Sequence, residues 1–386
     1  MTFRILRAAL LLAACLISSP SWAFNGRGDA ITYVDEQNER HIHYFNVQDG
    51  HLYSNHYDGT QWTWTDHGQP SRDAGELWSP EAITYLDNSG KQRIYVFVPT
   101  GQGRLKLRYF NGYQWQWVDQ GSTRVSPNST SAITYVDPDG NRRIYLFGAN
   151  PDNNHLVTNY WNGSSWLWAD NGSPPGASSA GLNAEAITYV DGQGARRIDV
   201  FCGCGISDVG RQLLINGWSG SSWSWFNHGG TQISEPHALT FTESSGDRRI
   251  HVFVGGAGNN PQVHSRIDGS WYWINLGKPV ANALTINGLD AIAYVDFMGN
   301  HRMQVFYLFE DVIWSRSWNG SSWANWMNHG LPAGSSSVSN PVALTYYDSR
   351  TNSQRTHLFV RCWTGICDHV FNGSTWQWQD LGKPKE

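Results

Sequence analysis

Pairs of tryptophan one residue apart recur along the chain: Trp62/Trp64, Trp115/Trp117, Trp166/Trp168, Trp223/Trp225, Trp271/Trp273 and Trp376/Trp378, with a stretched pair at Trp323/Trp326. An indole face stacks on the C–H face of a pyranose, while polar neighbours bond its hydroxyls. Two residues after each pair stands an Asp or Asn: Asp66, Asp119, Asp170, Asn227, Asn275, Asn328 and Asp380. His67, His228 and His329 follow in three copies. These residue types suit carbohydrate binding. The candidate contacts are the first tryptophan of each pair (Trp62, Trp115, Trp166, Trp223, Trp271, Trp323, Trp376) with Asp66, Asp170, His67, His228 and His329. The competing account is packing, because residues i and i+2 of a strand share a face.

Other repeated residues could carry charge chemistry. An acid (Asp35, Asp87, Asp137, Asp191, Glu243, Asp296, Asp348) is followed by a base (His41, Arg93, Arg143, Arg197, Arg249, Arg302, Arg355). A cross-strand ion pair or a turn cap accounts for this pattern. A polar, varied position precedes the first strand of each copy: Asp29, Glu81, Ser131, Glu185, His237, Asp290 and Val342. If that strand is innermost these residues rim a central channel, either as a solvated rim or as carboxylates that bind a cation or exchange protons. Copy one holds five histidines, His41, His43, His51, His56 and His67. No catalytic residue, metal set or cofactor is assigned.

These side chains are positioned by a segment read most clearly from Ala132 to Phe147. The Ile or Leu that opens it falls at Ile31, Ile83, Ile133, Ile187, Leu239, Ile292 and Leu344, a spacing of 50 to 54 residues. Each copy carries a Tyr or Phe two residues on, a turn rich in Asp, Asn and Gly, then an apolar run ending in Phe45, Phe97, Phe147, Phe201, Phe253, Phe306 or Phe359. That is a β-hairpin. A second hairpin follows, with Trp161-Asn162-Gly163 and Phe371-Asn372-Gly373 read as two-residue type I′ turns. Four short strands repeated seven times define an all-β, seven-bladed β-propeller with four antiparallel strands per blade. The blades run approximately 24–70, 71–122, 123–174, 175–230, 231–279, 280–332 and 333–386, each one continuous copy. The two constant turns of each blade fall on one face of the ring, and the variable loops on the other.

Residues 1–23 read as a secretory signal: Arg4 and Arg7, the apolar Ala8 to Ile17, and Ser21-Trp22-Ala23 as cleavage site. A lipobox ending at Cys15 is the rival reading. The formal charge is −5, and −7 without Arg4 and Arg7, which argues against nucleic acid. The remaining chain has no apolar run long enough for a membrane span. The expected location is secreted or periplasmic, and an oligomer is compatible with the sequence. Cys362 and Cys367 flank a four-residue loop and suit a disulfide. Cys202 and Cys204 lie either side of one glycine, where a strained bridge or free thiols both fit, and no nearby His or Cys completes a metal set.

The block Trp161-Asn-Gly-Ser-Ser-Trp-Leu-Trp-Ala-Asp-Asn-Gly172, followed by Ala-Ile-x-Tyr and Arg-Ile-Tyr-Leu-Phe strands, resembles the repeat of PLL-type bacterial lectins in all seven copies. The resemblance implies a seven-bladed propeller that binds fucose and related sugars between blades. The chain departs from that pattern in the acid after the first strand, in the Arg pair before the second, and in lacking Arg-Gly-x-Asp after the Phe. The function read here is multivalent carbohydrate binding at Trp-lined sites between blades. The alternatives are a glycosidase or polysaccharide lyase with one site at the channel mouth, built on Glu81, Glu185, His237 and Asp290, and a protein-interaction scaffold.

Overall fold

The structure, a computed structural model, describes residues 26–71, 75–176, 183–206, 209–243, 246–281 and 285–384. The signal-peptide expectation, Cys15 included, lies outside these residues. Seven separate four-stranded antiparallel sheets span 29–66, 81–124, 131–170, 184–227, 237–275, 286–328 and 339–382, each made of four consecutive strands. In blade one they are Asp29–Val34, Arg40–Gln48, His51–Tyr57 and Trp62–Asp66. The first strands of neighbouring blades lie side by side around the axis, with blade seven against blade one. The chain therefore forms an all-β, seven-bladed propeller, and among the described residues no shared strand closes it.

Side chains do the closing. The repeated Phe of the second strand is wholly buried in every blade. At six seams the first tryptophan of the next blade meets it edge-on: Trp115 on Phe45, Trp166 on Phe97, Trp223 on Phe147, Trp323 on Phe253, Trp376 on Phe306 and Trp62 on Phe359, with centroids 5.7 to 6.2 Å apart. Such pairs contribute about 0.5–1.5 kcal/mol each beyond the area they bury. Trp271 instead lies against His228 and His264.

The second tryptophan bonds the blade behind it. Trp64, Trp117, Trp168, Trp225, Trp273 and Trp378 each donate the indole N–H to a carbonyl of the preceding blade, that of Leu381, His67, Gln120, Asn171, His228 and His329. Blade six is the departure. One extra residue separates Trp323 from Trp326, and the fourth strand shrinks to Met327–Asn328. The Trp326 indole nitrogen has no acceptor, and Arg316 bonds the Leu276 carbonyl in its place.

The adjacent basic residues divide the same way. The first stacks on an aromatic ring of the preceding blade, as Arg40 on Tyr346, Arg142 on Tyr85 and Arg196 on Tyr135, at 4.2 to 4.7 Å from the centroid. The second pairs with the acid of its own hairpin, as Arg143 with Asp137 and Arg197 with Asp191, both at 2.7 Å. That acid also caps its turn: Asp137 accepts the amides of Asp139 and Asn141. Ion pair and turn cap are thus both present. Arg197 and the Ala195 amide hold the Asp191 carboxyl below its usual range.

The second hairpins differ from the type I′ expectation. Trp161 pairs with Trp166 across a four-residue loop, in which Asn162 Oδ1 accepts the amides of Ser164 and Ser165. Only Gly163 takes a positive φ, 109°. The asparagine side chain supplies the turn bonds, so its own backbone stays out of the left-handed region.

Candidate functional site: the grooves between blades

The first tryptophans stand at the constant-turn end of each seam, half-buried in all seven blades. Each ring packs against its seam, and Trp62 also lines a groove between blades. At the seam of blades seven and one the groove encloses about 440 Å³, lined by Tyr57 and Trp62 of blade one and by Tyr346, Asp348, Arg355 and His357 of blade seven. It combines an indole, two phenols, an ion pair at 3.4 Å and an imidazole. This is a surface for stacking an apolar ring face and bonding a polar edge.

The other expected contacts lie elsewhere. Asp66 and Asp170 are exposed at the opposite end of the fourth strand, where each accepts the amide of the glycine two residues on, Gly68 and Gly172. The same bond forms in the other five blades. These glycines take φ of 63° to 89°, a conformation costly for any side chain. The repeated Asp or Asn is thus engaged in a turn and is not brought to the tryptophan groove. His67, His228 and His329 do meet the tryptophans of the following blades, Trp115, Trp271 and Trp376, at 4.6 to 4.9 Å. They do so from inside the seam. His67 bonds Ser54 at 2.8 Å, His228 bonds His264 at 3.0 Å, and His329 bonds both His369 at 3.1 Å and Ser315 at 2.8 Å. Burial pushes His67 down to about 4 and His329, beside His369, to about 3. They enter the seam as neutral rings.

In copy one the stack Tyr33, His41, His56, His43 and Phe45 fills the corresponding part of the blade one–two seam. His41 replaces the arginine found in the other copies. It bonds Asp35 and His56, both at 2.9 Å.

Of the rim residues, Glu81 and Glu185 line a polar cavity of about 420 Å³ on the variable-loop face, together with Arg27. The rim residues are neither a plain solvated rim nor a free cluster of acids. Four of them bond the next blade's inner strand: Asp29 accepts the Ala82 amide, Ser131 that of Ala186, Glu185 that of Ala238 and Asp290 that of Ala343. Among the acids sits a cation of the chain itself. Arg27 Nη2 lies 2.5 Å from Asp290 Oδ2, and Asp29, Glu81 and Glu185 also act on its charge. Burial pushes Asp29 up to about 6, Glu81 well above the carboxylate range with Asp29 adding to it, and Glu185 upward. The repeat could not reveal Arg27, since no other copy carries an arginine at the matching position.

Among the described residues the one cluster of three metal-ligand types is Cys362, Cys367 and Asp380. Both cysteines are bonded to each other, so no thiolate is available. Cys202 and Cys204 are also joined. No described helix is long and apolar enough to cross a membrane.

No family model and no curated relative matches the chain. Solved structures do. A lectin of Burkholderia pseudomallei aligns with a TM-score of 0.65 at 15% identity, over 93% of this chain and 99% of that one. A variant of the Aleuria aurantia lectin in complex with alpha-methyl-L-fucoside aligns with a TM-score of 0.52 at 15% identity, over 81% and 97%. AofleA of Arthrobotrys oligospora aligns at 0.52 and 14% identity, over 79% and 87%. At these identities the likeness is one of fold.

Proposed function

We propose that the chain is a secreted carbohydrate-binding protein, lectin-like, taking saccharides in the Trp-lined grooves between its blades. The observation that carries this reading is the groove holding Trp62, where an aromatic wall, an ion pair and an imidazole converge in one cavity. The fold supports it, being shared with propellers described as lectins, one of them crystallised with a fucoside. Two disulfides support an oxidising compartment. Seven seams of similar construction favour a multivalent ligand such as a glycoconjugate surface, because linked sites raise effective concentration. The net charge of −5 disfavours nucleic acid as partner.

The test is a glycan-array screen of the purified protein, repeated with Trp62→Ala and Trp166→Ala, with melting recorded alongside. Binding to a defined sugar that weakens with each substitution supports the reading. A folded protein that binds no glycan overturns it.

A further inference from the structure

The seven blades are unequal. At the register opposite the buried Phe, the third strand carries Ser54, Leu107, Thr158, Ile215, Val263, Ser315 and, in blade seven, Asp368. A carboxyl group with no exposed surface is costly unless bonded. Asp368 Oδ2 lies 2.7 Å from His357 Nδ1 and accepts from Gln379 Nε2 at 2.8 Å. A carboxylate only accepts, so this contact places the His357 proton on Nδ1 and leaves Nε2 as an acceptor. Nε2 stands 3.5 Å from the Tyr346 hydroxyl, too far for a strong bond. His357 and Trp62 line the same cavity. Blade seven thus presents a buried carboxylate, an imidazole oriented by it, and an acceptor only weakly engaged by Tyr346, beside an indole.

Resting on the lectin reading above, we propose that the groove between blades seven and one is the strongest saccharide site of the ring, and that it takes an uncharged pyranose bearing two adjacent hydroxyls. The sugar face stacks on Trp62. One hydroxyl donates to His357 Nε2 and its neighbour accepts from the Arg355 guanidinium. Asp348, paired with Arg355, repels an anionic sugar at the same place. Asp368 does not touch the sugar and acts as a positioning residue through His357.

The test is calorimetry with methyl α-L-fucoside, or the simple glycoside of whichever sugar the array identifies, and with galacturonic acid as the anionic comparator. The variants are His357→Phe, Asp368→Asn and Gln377→Arg, with Gln116→Arg as control. Gln377 lines this groove from an exposed position, and Gln116 holds the equivalent exposed place in blade two. Both substitutions are therefore compatible with the fold even if His357→Phe is not. The expected result is one tight class of site per chain. Gln377→Arg and His357→Phe each weaken it about tenfold or more, equivalent to ~1.4 kcal/mol. Gln116→Arg leaves it in place, and galacturonic acid binds at least about tenfold more weakly. Asp368→Asn weakens binding and loosens the hold on the Nδ1–H tautomer of His357, read in the ring 15N chemical shifts, a signature a merely structural role would not produce. Equal losses from Gln377→Arg and Gln116→Arg, or a tight class that survives His357→Phe, overturn the proposal and leave the lectin reading standing. Absence of any saccharide binding overturns both.

Discussion

Arg27 and Asp290 stand 263 positions apart in the chain and 2.5 Å apart in the molecule. Asp290 also takes the Ala343 amide of the next blade and lies 3.1 Å from His237 of the previous one. One carboxylate thus ties the segment ahead of the first strand to three inner strands.

Replacing Arg27 by Met is expected to lower stability by about 1–2 kcal/mol. A fully buried pair broken on one side costs ~3–5 kcal/mol, but Arg27 keeps 37% of its side chain in water, which screens the pair. Chemical denaturation at pH 7 measures the difference. A midpoint equal to that of the parent protein would show that Arg27 is a bystander.

Glu81→Gln is expected to stabilise the protein at pH 8 by on the order of 1 kcal/mol, with no gain near pH 4. The Glu81 carboxyl is raised in the folded state by burial and by Asp29. The folded chain therefore holds this proton more tightly than the unfolded chain. The ionisation penalty is absent at low pH, where both states are protonated, and complete above the folded value. Melting curves of the two proteins should converge on acidification.

The histidine seams run in the opposite direction. His329 is held down to about 3, and His369, His264 and His67 to about 4, in each case chiefly by burial. An unfolded histidine titrates near 6.5, so the unfolded chain binds more protons between about 6.5 and 4. Stability from these rings is complete above pH 6.5 and is lost as pH falls toward 4. Each contributes a slope of up to ~1.4 kcal/mol per pH unit. Gln in place of both His329 and His369 should flatten the acid limb of a stability–pH curve, and an unchanged slope would refute the assignment.

Trp168→Phe should cost ~1 kcal/mol more than Trp326→Phe. Both lose ring area, but only Trp168 gives up a hydrogen bond, that to the Gln120 carbonyl at 2.5 Å. Trp326 has no bond to lose. Equal midpoint shifts in urea would show that the indole bonds add nothing to the seams.

The repeat made the strand order, the buried Phe and the shared face of each Trp pair legible, because all three are relations inside one copy. What escaped are relations between copies. The Trp64 bond to Leu381, the Arg142 stack on Tyr85 and the Asp29 bond to Ala82 join residues that spacing within a copy never sets side by side. The turn role of Asp66 escaped for a local reason: an acid beside Trp-x-Trp suits a sugar, and the glycine two residues later also marks a capped turn. Asp368 was hidden because six copies carry small or apolar residues at its register, and only strand pairing shows that the position is buried.

Most seams are built from the same few parts, and each sheet uses only its own copy of the chain. The blade is therefore a unit that gene duplication can add or delete without leaving an unmatched edge. Ring size then follows from the angle at which one sheet leans on the next through its Phe and Trp.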